Sequence, residues 1–421
     1  FHFSLKLCYN THIMEYVSGI KLRDIFLSNG NWWKLFIKHR DLIRISIIIN
    51  VLKLLTCRTS FLGYHVFICP KCHRSIKAPH SCKSRFCPSC GKKATDDWIK
   101  TSFNSLPNTT YQHITFTMPS DFCPFFWVNR YLFDLIPVMA ANIIKKLAKQ
   151  KGFLPGIFLA LHTFGRDLKN NVHIHLSTTI GGLSLSYNSS PQTNLLGWIK
   201  SAYFYHDSLK KMWKYQIITL LRNEFKQNRL KLPPYLKYIK TYSAFVSWTT
   251  QFYDKTWNVF LNHQDANMKH NVDYLGKYIK RPPIGETRIK KYDGKFVTFE
   301  FLDHYTNKKN LMTLPVLEFI SRLISHIPDK NFRVIRYYGF LANRVSGKLL
   351  PIVYTLLDMK NAIVQKVYTP WRQMIINVFH YDPLNCPFCN IPTLPSYSVF
   401  QYPSNLLSMH KEIANGYFKL L

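Results

Sequence analysis

The sequence predicts an α+β fold in which a small cysteine-rich module precedes a core of strands and helices. Three observations carry this. Apolar residues fall at helical spacing over residues 20–56, and β-branched, strand-like runs occur at 109–118, 157–164 and 172–180. Between them, the segment 57–90 is rich in turns and holds six of the chain's ten cysteines.

Taken in order, residues 20–56 read as helical. The most apolar stretch, 42–55, is interrupted by Arg44, Asn50 and Lys53, so it reads as an amphipathic helix and not a membrane span. Residues 57–90, full of Cys, His, Lys and Pro, cannot build much apolar core and need a staple. A boundary falls near residue 105. The strand at 109–118 is followed by a helix over 127–151, then by the runs 157–164 and 172–180. The polar linker GRDLKNN joins those two runs, which makes a hairpin the natural reading. Residues 200–228 and 256–280 read as helices, and Pro282 and Pro283 end the second. A strand at 296–304 and a helix at 315–325 follow. The resulting division is 1–19 as a leader outside the fold, 20–105 as helices plus cysteine module, 106–305 as the core, and 306–421 as a C-terminal α/β region.

Charge is the unusual feature of the composition. Lys and Arg number 56 against 22 acidic residues, a formal +34 spread along all 421 residues. Such a surface attracts polyanions, and that attraction weakens as salt rises. Ribosomal-type RNA binding and an anionic membrane surface are the plainer alternatives, and composition favours nucleic acid over membrane. Residues 1–10 lack the basic region, apolar core and cleavage site of a secretory signal. Clustered cysteines without an export signal point to thiolate metal ligands in a reducing compartment, so an intracellular protein is expected.

Cys69-x2-Cys72 and Cys87-x2-Cys90 stand fourteen residues apart. Two knuckles at this spacing can deliver four thiolates to one tetrahedral Zn²⁺, which would supply the folding energy the segment lacks. Cys57, His65, His80 and Cys82 remain in the same segment. They form either a second zinc set or small buried hydrophobes beside ordinary histidines. Lys83 and Arg85, with other basic residues, surround the knuckles and suit DNA docking.

The run NNVHIHLSTT places His173 and His175 on one face of a strand, with Ile174 packed behind. Two imidazoles so placed can hold a divalent ion and leave positions open for a phosphate oxygen. His162, in the preceding run, is brought beside them by the hairpin as a third ligand. His113 is a weaker candidate, and Gln112 and Asp167 weaker still. Downstream, Tyr274 and Tyr278 share a face if helical, with Lys277, Lys280 and Arg281 beside them. A tyrosine hydroxyl can attack a phosphodiester and conserve the bond energy as a phosphotyrosine. Basic neighbours, Lys277 foremost, offset the developing charge, and Lys280 and Arg281 bind the DNA backbone. A pair of tyrosines four apart is ordinary by itself in a chain with 25 of them.

The order of these blocks resembles the two-tyrosine HUH transposases of the insertion-sequence 91 family. The resembling stretches are CRTSFLGYHVFICPKCHRSIKAPHSCKSRFCPSCGKKATDDWI (57–99), QHITFTMP (112–119), LHTFGRDLKNNVHIHLSTTIGGLSL (161–185) and YLGKYIKRPPI (274–284). They continue with EFISRLISHIPDKNFRVIRYYGFLANR (318–344) and WRQMIINVFHYDPLNCPFC (371–389). The resemblance implies a central antiparallel sheet flanked by helices, with His173 and His175 as metal ligands, Tyr274 and Tyr278 as alternating nucleophiles, and an N-terminal zinc domain. It departs from the family at Asn170, Asn171 and Val172, where Pro and His are usual, and at Phe164, usually Trp. Cys386 and Cys389 lack a second pair, and Asn390 and Ile391 replace the glycines that normally follow, so a degenerate knuckle is the expectation there.

The resulting expectation is a transposase that nicks and rejoins single-stranded DNA at the ends of a mobile element through a 5′-phosphotyrosine. It would need structural Zn²⁺ and catalytic Mg²⁺ or Mn²⁺, and use neither a membrane nor a small-molecule substrate. A bacterial cytoplasm, at the nucleoid, is the expected place. The alternatives are a binding-only decayed copy and a replication initiator or relaxase of the same chemistry.

Overall fold

The computed structural model describes residues 19–185, 197–200, 203–262, 272, 276, 282–303, 306–359, 370–380, 382–400, 407, 408, 410 and 411. Three helices open it, Leu22–Leu27, Asn31–Lys38 and Ile45–Thr56. The hairpin β1 (Gly63–Ile68) and β2 (Ser75–Pro79) follows, then the helix Pro88–Ser105.

The core sheet begins with β3 (Tyr111–Thr117), continues with the long hairpin β4 (Phe153–Phe164) and β5 (Asn170–Ser184), and includes the short β6 (Trp198–Ile199) and β7 (Val259–Asn262). The expected hairpin is present, closed by Gly165 N–H to Lys169 O and by Leu168 in a left-handed conformation. Residues 259–262 are a strand where helical spacing was read. Val259 and Leu261 alternate with Phe260, and the segment pairs with β3 along the sheet edge.

β8 (Ile289–Tyr292), β9 (Phe296–Leu302) and β10 (Lys309–Pro315) form a separate meander. It leads into the helix Val316–Ser325, then β11 (Ile335–Gly339), the helices Asn343–Leu356 and Trp371–Phe379, and β12 (Leu394–Phe400).

The core sheet is antiparallel, in the order β11-β4-β5-β3-β7, with β6 on β5. Its two faces are distinct because side chains alternate along each strand. Ile114, Phe116, Ile157, Leu159, Leu161, Val172, Ile174 and Leu176 point to one side. They are covered there by the helices Leu132–Gln150, His206–Lys226 and Tyr242–Thr250. In the first of these, Ile136, Ala140, Ile143, Ile144 and Ala148 recur at helical spacing, and the alanines let the helix lie close to the strands. Each large apolar side chain buried this way stabilises the fold by roughly 1.5–3 kcal/mol. The opposite face meets Trp98, Leu106, Phe340, Leu341 and Val353.

Two associations join segments distant in sequence. The N-terminal helices share a core with the meander and the helix Val316–Ser325, through Phe26, Trp32, Phe36, Val297, Phe299 and Phe319. β12 returns to pair with β1, so the hairpin sheet runs β12-β1-β2. The C-terminal strand therefore completes the cysteine module.

Candidate metal centres and nucleophile segment

β5 lies between β4 and β3, and this register assembles the histidines. His173 stands opposite His162 on β4, and His175 stands opposite Thr115 on β3. The ligand atoms of His162, His173 and His175 all lie within 4.8 Å of one another. Their ring centroids are 4.9–5.2 Å apart. Ile174, between the pair, is buried among the helices on the other face.

The local chemistry suits neutral, ligating imidazoles. Burial holds the His175 pKa well below that of a free imidazole, with His162, His173 and His113 adding to the effect. The His173 ring donates its Nδ1–H to the Asn171 carbonyl at 3.0 Å. That contact fixes the tautomer and makes Nε2 the nitrogen able to accept a cation. Phe164 lies beside the His162 ring, nearly parallel, with centroids 5.6 Å apart. Three nitrogens converging this way can hold one cation and leave its other positions to water or phosphate oxygen.

His113 belongs to the surroundings of this trio. Its Nε2 is 3.3 Å from His175 Nδ1, its Nδ1 is 3.3 Å from Ser177 Oγ, and Thr115 Oγ1 also reaches His175 Nδ1 at 3.2 Å. Gln112 is on the other face of β3. There its amide accepts from the Phe204 N–H at 2.8 Å and donates to the Phe204 carbonyl at 3.2 Å, which is a structural role. Asp167 caps the hairpin turn, accepting from the Lys169 N–H.

Tyr274, Lys277, Tyr278, Lys280 and Arg281 lie outside the described residues. Two of their neighbours do not. Val272 is fully buried in the apolar layer that includes Phe158 and Ala160, which share a strand face with His162. A Cβ at Gly276 would lie 2.4 Å from Ile99 side-chain atoms and 3.7 Å from Trp98.

The cysteines group differently from the expected Cys69, Cys72, Cys87, Cys90 set. Cys57, Cys82, Cys87 and Cys90 converge in one place, and Cys69, Cys72, Cys386 and Cys389 in another. The hairpin explains the correction. Cys57 and Cys82 flank its base, whereas Cys69 and Cys72 sit at its tip, and a six-residue strand separates base from tip by about 20 Å. His65 and His80 join neither set. His80 donates Nδ1–H to the Leu62 carbonyl, and His65 meets Ser398 Oγ at 2.6 Å. Their rings pack together at 4.6 Å with Phe400 alongside.

The first set fits zinc. The Sγ atoms of Cys57 and Cys90, Cys82 and Cys90, and Cys57 and Cys87 are 3.6–3.7 Å apart. A tetrahedral ion with Zn–S bonds near 2.3 Å requires about 3.8 Å between sulfurs, whereas a disulfide needs about 2.05 Å. The Cys82 N–H points at Cys57 Sγ and the Ser84 N–H at Cys82 Sγ, each at 3.5 Å, as thiolates prefer. Lys83 is exposed beside this site. Arg85 is half-buried, and desolvation lowers its guanidinium pKa.

The pairing of Cys69 and Cys72 with the C-terminal pair escaped sequence reasoning, because no local spacing announces a partner more than 300 residues away. The available signal was the count, since eight cysteines outside Cys8 and Cys123 make two fours.

A family described as "Transposase zinc-binding domain" matches residues 30–118, and one described as "Putative transposase" matches residues 156–348. The transposase for insertion sequence element IS801 of Pseudomonas savastanoi pv. phaseolicola is 36% identical over 373 residues, 87% of each chain. "Putative transposase y4qJ" of Sinorhizobium fredii (strain NBRC 101917 / NGR234) is 27% identical over 395 residues, covering 91% of this chain and 96% of the relative. No solved structure matches the chain significantly.

Proposed function

Because the chain belongs to the insertion-sequence 91 family of transposases, we propose that it nicks and rejoins single-stranded DNA at the ends of a mobile element, with Tyr274 and Tyr278 as nucleophiles. The observation that carries this reading is the convergence of His162, His173 and His175 on one face of the core sheet. Burial of Val272 and the tight fit of Gly276 on that same side support a place for the tyrosine segment there.

When bound by the three histidines, a divalent cation supplies Lewis acidity to the scissile phosphate. Imidazole donors suit Mn²⁺ better than Mg²⁺, which prefers oxygen. The tyrosine oxygen forms the new bond to phosphorus as its proton leaves to solvent. The bond from phosphorus to the 3′ oxygen breaks, and that oxygen takes up a proton. The products are a 5′-phosphotyrosine and a free 3′-hydroxyl, and the second tyrosine serves a later exchange. Lys277 offsets charge at phosphorus, while Lys280, Arg281, Lys83 and Arg85 hold the DNA backbone. The cysteines keep the zinc module folded, and the site of action is the bacterial nucleoid.

The test incubates the protein with single-stranded oligonucleotides from the element's ends and Mn²⁺ or Mg²⁺, then looks for a covalent adduct on a denaturing gel. Intact protein should form it, and His173→Ala/His175→Ala should lower its rate by roughly 100-fold or more. An adduct that persists in Tyr274→Phe/Tyr278→Phe would sink the nucleophile assignment. No adduct from intact protein on cognate ends would favour a binding-only protein.

A further inference from the structure

The C-terminal cysteine pair lies outside both regions matched to known families, which end at residues 118 and 348. Its surroundings are nevertheless those of a built site. The Sγ atoms of Cys72 and Cys386 are 3.7 Å apart, and the four ligand atoms of Cys69, Cys72, Cys386 and Cys389 fall within 4.8 Å of one another. That is too far for a disulfide and close to the edge of a zinc tetrathiolate. Cys69 and Cys386 are buried.

The two knuckles share one backbone design. In the first, His73 N–H bonds to Cys69 O and Cys69 N–H to Arg74 O, at 2.9 and 3.0 Å. In the second, Asn390 N–H bonds to Cys386 O and Cys386 N–H to Ile391 O, both at 2.8 Å. The fourth residue after the leading cysteine has a positive φ in both, 55° at His73 and 51° at Asn390. Asparagine and histidine visit this conformation more readily than other residues with a Cβ, so the missing glycines do not disable the knuckle. The Arg74 guanidinium lies over the Phe388 ring at 4.0 Å and joins the two loops. β12 starts a few residues after Cys389 and pairs Leu394 with Ile68, which delivers the second knuckle to the hairpin tip.

We propose that Cys69, Cys72, Cys386 and Cys389 bind a second zinc ion, a clasp that fastens the C-terminal strand to the N-terminal module. The site closes a loop of about 300 residues that contains the entire histidine sheet. Its ligands come equally from the two ends of that loop, so neither end alone retains the ion. The clasp stands independently of the cleavage chemistry.

The experiment measures zinc per chain on the purified full-length protein by elemental analysis, with thiolate-to-cobalt charge-transfer absorption after cobalt substitution as a second readout. Intact protein should hold about two equivalents. Cys386→Ser/Cys389→Ser and Cys69→Ser/Cys72→Ser should each fall to about one and lose about half of the absorption. Cys87→Ser/Cys90→Ser should also lose one, from the other site. Should the Cys386→Ser/Cys389→Ser protein retain no zinc, the ligand-preserving Cys389→His variant decides. Restoration of both equivalents sustains the clasp, and failure to restore them overturns it. A single equivalent in intact protein, or two in Cys386→Ser/Cys389→Ser, overturns it as well.

Discussion

His326 shows how a single buried side chain makes this fold sensitive to acid. Its Nε2–H donates to the Leu168 carbonyl at 3.1 Å, and Thr163 Oγ1 meets Nδ1 at 3.2 Å, so the neutral ring is fully used. Burial pushes its pKa down to about 4. In the unfolded chain the ring takes up a proton near pH 6.5, which the folded ring resists. The unfolded state therefore binds more protons between about pH 6.5 and 4, and stability falls as pH drops through that window. His326 alone should cost about 3 kcal/mol over the full interval. Urea midpoints at pH 7, 6 and 5 should decline, and His326→Gln, which can still donate to Leu168, should flatten the decline. An unchanged slope in that variant would remove His326 as the cause. At this scale the sequence was informative where chemistry is local. The alternation of His173 and His175, and His162 one hairpin strand away, were legible. His326 was not, since its partners come from the β4–β5 hairpin far upstream.

At the scale of elements, Gly276, two residues from both Tyr274 and Tyr278, packs closely against Ile99 of the helix Pro88–Ser105. A methyl group at Gly276 would meet Ile99 at 2.4 Å, well inside van der Waals contact. Overpacking of this kind costs typically about 1–3 kcal/mol. Gly276→Ala should slow adduct formation by roughly 5- to 100-fold if that cost falls on the placement of the segment. Adding Ile99→Ala should restore much of the loss, whereas wild-type rates in Gly276→Ala would show that the contact is dispensable. The hairpin, the helix Val316–Ser325 and β9 were readable because each carries its own periodicity. β7 was not, because four residues at a sheet edge leave too short a pattern to separate from a helix. The cysteine grouping failed for a related reason: spacing along the chain ignores the length of the strand that divides base from tip.

For the whole molecule the governing quantity is the excess of 34 positive charges. It should make binding to single-stranded DNA strongly salt-dependent, with log affinity falling by about 0.7 per contacted phosphate for each unit of log salt. Titrations of a non-cognate oligonucleotide between about 50 and 200 mM salt should give a slope steeper than about −3, equivalent to about four phosphates or more. A shallow slope would mean that the charge is spread away from the DNA path. Composition revealed this field directly, but not which segments share a core. The N-terminal helices rest on residues 289–327, and only the folded chain reveals it.

That packing also sets an order of events during synthesis. The helices before residue 57 emerge from the ribosome ahead of the core sheet, yet many of their apolar partners lie beyond residue 280, and β1 waits for residues 394–400 to cover its open side. The strands β3, β4 and β5 are contiguous enough to form earlier. A segment translated ahead of the core sheet is thus finished after it, and a product terminated before β12 leaves a strand edge bare. Premature stops late in this chain should be disproportionately prone to aggregation or proteolysis, although they remove only a small fraction of its length.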